Sequence, residues 1–139
     1  NFLQSYNIKE ETIGGQKLTS VAYEFILTGL TPQNSILIPL NNDFDTIEVF
    51  GRTIYRKENR DGLGRVDFFG GCTRNDGGGL ELDDNNLQEF KKSSISGVDP
   101  NFSHDISGTN YIITIDPNSA VLNLSFKIWL EVHFSNITI

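Results

Sequence analysis

The inventory of nucleophiles and bases is small: one cysteine, Cys72, and two histidines, His104 and His133. A thiol becomes a working nucleophile when a neighbouring base or cation holds it as the thiolate, and that base needs a third group to orient it. No such set is marked by spacing. Both histidines lie far from Cys72 along the chain, and Cys72 follows Gly70-Gly71. It reads as a small residue packed at the base of a loop. Paired carboxylates occur at Glu10-Glu11, at Asp43 with Asp45, and at Asp83-Asp84. Glycoside hydrolysis needs two carboxylates facing each other across a cleft, one held protonated. Adjacent carboxylates in polar loops are solvated instead. Asp76, Asp83, Asp84, Asn85 and Asn86 gather hard oxygen donors around a glycine-rich stretch. Calcium takes such donors, but the spacing is not that of an EF-hand loop. Calcium is thus the one cofactor to consider; no metal ligand and no catalytic residue are assigned. The chain reads as a binding protein, not an enzyme.

Recognition is better served by other residues. Trp129 is the only tryptophan, and it falls on the polar side of the alternating segment VLNLSFKIWLEVHF. An exposed aromatic ring there would stack on a sugar or anchor a protein partner. The structural alternative is that a second sheet, a loop or a neighbouring subunit covers it. Tyr55, Arg56 and Arg60 near a predicted hairpin, with Asp76 in the 70–79 loop and the 99–108 loop, would complete a binding rim on a rigid scaffold. Sequons occur at Asn101, Asn123 and Asn136, the acceptor pattern for N-glycans. Asn123 falls within a predicted strand, which disfavours a glycan.

The elements that must position these residues are strands. In 121–134 every even position is apolar, from Leu122 to Phe134. Alternation at period two marks a strand with one buried face. The run is long for one strand, which predicts a bend or bulge and a central place in a sheet. Residues 18–28 alternate similarly, as do 110–116. Residues 35–40 form a strand in which Pro39 marks an edge position or a strand end. Gly51 interrupts 45–57, predicting a bulge or a tight bend. Asp61-Gly62 marks a hairpin turn, with a return strand over 65–69. Residues 70–79 read as loop, 80–83 as a short strand, 85–92 as the one helix, and 93–110 as loop with a short strand near 95–98. Residues 1–7 read as a linker or N-terminal extension and 8–139 as the domain. Many short strands with regular turn signals predict an all-β fold, an antiparallel β-sandwich resembling a jelly roll.

Composition agrees with one globular domain: 139 residues, 37% hydrophobic, with ten Phe and thirteen Gly. A net charge of −7 argues against nucleic acid and anionic membranes as partners. No apolar run approaches the ~20 residues of a membrane helix, so no membrane insertion is expected. The chain starts at Asn1 and contains no Met, which suggests a processed chain or a fragment of a larger one. A single cysteine rules out an internal disulfide.

Glu10-Glu11 with Ile13-Gly14 and Tyr23, then Ile47, Val49, Gly51 and Tyr55, then Gly108, Asn110, Ile113 and Ser125 mark three stretches that together resemble the C-terminal domains of bacteriophage tail-fibre, tailspike and receptor-binding proteins. In YNIKEETIGGQKLTSVAYEFILTGL, Glu10-Glu11, Ile13-Gly14, Gly15-Gln16-Lys17 and Tyr23 stand where that family has an acidic pair, an Ile-Gly turn and a tyrosine before an apolar strand. In DFDTIEVFGRTIYRK, Ile47, Val49, Gly51 and Tyr55 match a second family segment. In GTNYIITIDPNSAVLNLSFKIWLEVHF, Gly108, Asn110, Ile113, Ser125 and the last strand match a third. The family's tryptophan in the first segment is absent, and residues 70–107 have no family counterpart. The resemblance implies a β-sandwich head at the end of a virion fibre or baseplate protein, usually a homotrimer. Its implied role is attachment to a host-surface receptor, often a saccharide. Two alternatives stand beside it: a structural capsid, decoration or baseplate component contacting other virion proteins, and a secreted bacterial carbohydrate-binding module.

Overall fold

The structure is a computed structural model that describes residues 3–29, 34–40, 43–58, 62–93 and 98–137. It contains ten strands and, among the described residues, no helix: β1 (Leu3–Ile13), β2 (Gln16–Gly29), β3 (Asn34–Pro39), β4 (Thr46–Lys57), β5 (Leu63–Arg74), β6 (Leu80–Leu82), β7 (Gln88–Ser93), β8 (Asn101–Ser107), β9 (Asn110–Asp116) and β10 (Ser119–Ser135). Every pairing is antiparallel. The large sheet runs β1-β2-β10-β4-β5, and β5 pairs further with β6 at one end and β7 at the other. The small sheet runs β3-β9-β8. The two sheets pack face to face as one all-β sandwich.

The alternation in the last strand dictates this arrangement. On β10, Leu124, Phe126, Ile128, Leu130, Val132 and Phe134 are buried, and the intervening side chains point to the other side. With β2 on one edge and β4 on the other, the inward row becomes the floor of the core. Its register with β2 shifts between Ser119 and Leu124, the irregularity that so long a strand calls for. Phe126 is the hub. Its ring centroid lies 5.2 Å from Phe25, 5.7 Å from Tyr55 and 6.5 Å from Phe102. The small sheet supplies Ile36, Ile38, Phe102, Tyr111, Ile113 and Ile115 from above.

Five local expectations are corrected. Gly51 does not break β4, whose register with β10 and β5 runs through it without a shift. The glycine is there for space: a Cβ at this position would lie 2.0 Å from the Phe68 ring. The 70–79 segment is not all loop, because β5 continues to Arg74. Gly70 lets Leu87, Tyr111 and His104 close in on it, and a Cβ at Gly71 would strike the Ile47 carbonyl at 2.0 Å. The predicted helix over 85–92 is instead strand β7, held in register against β5 from Gly64 to Phe69. Cross-strand pairing outweighs the weak helical pattern there. Within the predicted 93–110 loop, β8 pairs with β9 from Asn101 to Ser107; the strand expected near 95–98 falls mostly outside the described residues. Residues 3–7, read as linker, belong to β1 and pair with β2.

The sheet edges are guarded. β1 carries a bulge between Asn7 and Lys9 and then the charges Lys9, Glu10 and Glu11. β3 ends on Pro39, β7 presents Lys91 and Lys92, and β8 presents Asp105. Such devices discourage strand addition from another chain. Recognition is therefore to be sought on faces and loops. Among the described residues no helix is long and apolar enough to cross a membrane.

Candidate functional site

Two of the three residues most able to do covalent chemistry, Cys72 and His104, lie on the inner face and are buried there. His104 Nε2 is 2.8 Å from the Asp84 backbone carbonyl, and Nδ1 is 2.6 Å from Tyr111 Oη. A carbonyl only accepts, so Nε2–H donates to it, and Nδ1 of the neutral ring accepts from the Tyr111 hydroxyl. Tyr111 is fully buried; burial first, then the fields of Cys72 and Asp83, push its pKa up. Cys72 is also buried, and burial, reinforced by Asp83, pushes its thiol up to about 12. A thiol so held is protonated and inert at neutral pH. This cluster packs β5, β8, β9 and the 83–87 loop together; Cys72 is buried as expected, but within β5 and not at the base of a loop. His133 is elsewhere, on the outer face, with Nε2 3.0 Å from Gln16 Oε1.

Several of the oxygen donors around the glycine-rich stretch hold turns. Asp83 Oδ1 accepts from the Thr73 hydroxyl at 2.5 Å, Asp84 Oδ1 accepts from the Asn86 backbone N–H at 3.0 Å, and Asn75 Oδ1 accepts from Gly79 N–H at 3.1 Å. Among the described residues no three His, Cys, Asp or Glu side chains converge to hold a metal. Asp45 is a structural pin. It accepts from the Ile137 backbone N–H at 3.1 Å and from Arg74 Nε at 3.0 Å. Those two contacts, in that order, hold its carboxyl below the usual range. Two sequon asparagines are similarly engaged: Asn123 Nδ2 donates to Glu58 and Asn136 Nδ2 to the Asp43 carbonyl.

The outer face of the large sheet is different. Because side chains alternate across the pleat, every residue paired with Trp129 shares its face. The register builds a row Ala22, Trp129, Arg52, Asp67, Phe90 across β2, β10, β4, β5 and β7. The next row reads Ser20, Glu131, Phe50, Phe69, Gln88. Trp129 and Phe90 thus stand at the two ends of one row, with Phe50 and Phe69 between them in the next. The four rings form an arc around Arg52 and Asp67. Trp129 is 46% exposed, Phe50 43%, Phe69 41% and Phe90 64%. Phe50 and Phe69 touch, with centroids 4.7 Å apart. Together with Gln88, Glu89 and Glu131 these residues line an open groove of about 470 Å³.

Of the residues singled out from sequence, Trp129 sits in this groove. Tyr55 does not: it is 3% exposed and packs on Phe126 in the core. Its position on the strand gives the reason, since it pairs with Phe126 and Gly64 on the inward side. Arg56 is exposed on the outer face, four positions along β4 from Arg52. Asp76 is exposed in the turn between β5 and β6, beyond the far end of β5 from Arg56. Arg60 lies outside the described residues. The expected rim of Tyr55, Arg56 and Asp76 is therefore not brought together. Sequence reasoning missed Arg52, Asp67, Phe69 and Phe90 as a group. Phe50 and Phe69 carry a signal in hindsight, since each sits out of phase with the buried Val49 and Phe68. No protein-family model, no characterised protein and no solved structure matches the chain.

Proposed function

We propose that this chain is a non-catalytic binding module that attaches to a cell-surface saccharide through the outer-face groove, as the receptor-binding head of a virion tail fibre. The observation that carries the binding part is the arc of four exposed rings around Arg52 and Asp67. Aromatic faces stack on the apolar faces of sugar rings, and polar side chains between them fix orientation. The virion and host-attachment part rests on the three resembling segments. A homotrimer would present several copies of the groove and raise avidity without new contacts. The test is a glycan array probed with the labelled chain and with Trp129→Ala. The proposal expects discrete saccharide hits that the variant loses. An array without hits, with the protein shown to be folded, counts against it.

A second reading has its own observation. The outer face also exposes Ile26, Ile54 and Leu63, so apolar surface continues beyond the groove. Such a face suits an interface between copies or with another virion protein. Light scattering at micromolar concentration separates the two. A monomer, or a trimer with Trp129 still accessible, leaves the groove free; an oligomer that shields Trp129 makes the face an interface.

A further inference from the structure

The charges in the groove narrow the class of saccharide, if the saccharide reading above holds. An acidic sugar needs a surplus of cations where it binds. There is none here. Arg65 Nε and Nη2 reach Asp67 at 2.9 to 3.2 Å, and Lys91 holds Glu89 at 3.3 Å. That leaves Arg52 and Glu131. Among the described residues neither side chain forms an ion pair or a hydrogen bond. One is a pure donor and the other a pure acceptor. Arg52 stands beside Trp129 and Glu131 beside Phe50 in adjacent cross-strand pairs. Hydroxyl groups, which both donate and accept, satisfy the two at once. Gln88, with an amide that also does both, stands beside Phe69.

The span of the arc sets a length. Three interstrand steps of about 4.8 Å separate β10 from β7, so Trp129 and Phe90 stand roughly 14 Å apart. A single sugar ring cannot reach both ends. We infer that the groove takes a neutral oligosaccharide laid across the strands, from Trp129 to Phe90, with Arg52 and Glu131 bonding its hydroxyls near the Trp129 end. The net charge of −7 works in the same direction, since it repels acidic polysaccharides at long range.

The test is calorimetric titration of the full chain with neutral gluco-, manno- and galacto-oligosaccharides from mono- to tetrasaccharide, and with oligogalacturonides and sialyl-lactose. One neutral series is expected to bind, each sugar that gains a stacked ring tightening it roughly tenfold. Phe90→Ala should erase the gain in affinity of the longer chains. Arg52→Gln should weaken every neutral ligand several-fold without creating a preference for acidic ones. Tighter binding of an acidic series, or an affinity flat in chain length, overturns this inference and leaves a saccharide site standing. Heat silence with every series, from a protein whose circular dichroism is that of folded β-sheet, overturns both.

Discussion

The His104–Tyr111–Cys72 cluster and the Trp129 groove lie on opposite faces of the same sheet, and β5 contributes to both. Inward, Gly70 meets His104 and Tyr111, and Cys72 is buried with its field on Tyr111; outward, Asp67 and Phe69 face the groove. The inner cluster holds the residue types that usually suggest catalysis, yet its hydrogen bonds are closed on themselves. The outer groove holds no such types, yet its rings are open and two of its charges lack partners. Partnering, more than residue type, distinguishes the two regions. A buried group whose hydrogen bonds are complete stabilises the fold; an exposed aromatic set with unpaired polar groups is available to a ligand.

The contrast can be broken by substitution. The largest effect is expected at the hub of the inner face. Phe126→Ala should cost about 3–5 kcal/mol, because it opens a cavity among Phe25, Tyr55 and Phe102, read as a fall in urea midpoint at unchanged slope. Tyr111→Phe comes next. It strands Nδ1 of His104, which should cost about 1–3 kcal/mol without altering any ligand affinity. Thr53→Val sharpens the same point from the other side. The Thr53 hydroxyl is buried in the core without a hydrogen-bond partner among the described residues, so removing it should raise stability by roughly 1 kcal/mol. Trp129→Ala should move stability by less than about 0.5 kcal/mol and abolish saccharide binding. A Trp129 variant that unfolds as Phe126→Ala does would make the groove a part of the core.

The inner cluster also predicts a pH dependence. The Cys72 thiol titrates near 8.5 in an unfolded chain and at about 12 in the fold. The unfolded state therefore loses its proton first as pH rises. The extra stability is complete below the unfolded value and is lost progressively from there towards the folded one. Tyr111, also raised, extends the loss to higher pH. The melting temperature should fall above about pH 9, and Cys72→Ala should delay the onset. Iodoacetamide should leave Cys72 unmodified until urea unfolds the chain.

Much of the fold is legible in the sequence. Period-two alternation in 121–134 and 110–116 places β10 and β9, and Pro39 marks the edge strand. The hidden parts depend on contacts distant in the chain. Gly51 looks like a break, and only Phe68, from the neighbouring strand, explains it as clearance. Residues 85–92 look helical until β5 offers them a partner edge. The groove is harder still to read. Trp129 stands out as an aromatic on the polar side of its strand, but Phe90 joins it only through the register of three intervening strand pairs. Tyr55 misleads because a tyrosine next to two basic residues looks like a binding rim, while strand parity turns it inward.

Accessibility of Trp129 tests the central claim most directly. As the only tryptophan, it makes acrylamide quenching a report on the groove alone. The account predicts efficient quenching in the free protein across micromolar dilutions, and protection when a saturating neutral oligosaccharide is added. Emission that resists quenching at every concentration while the protein stays folded would contradict it, and would make this face a covered surface instead of a binding site.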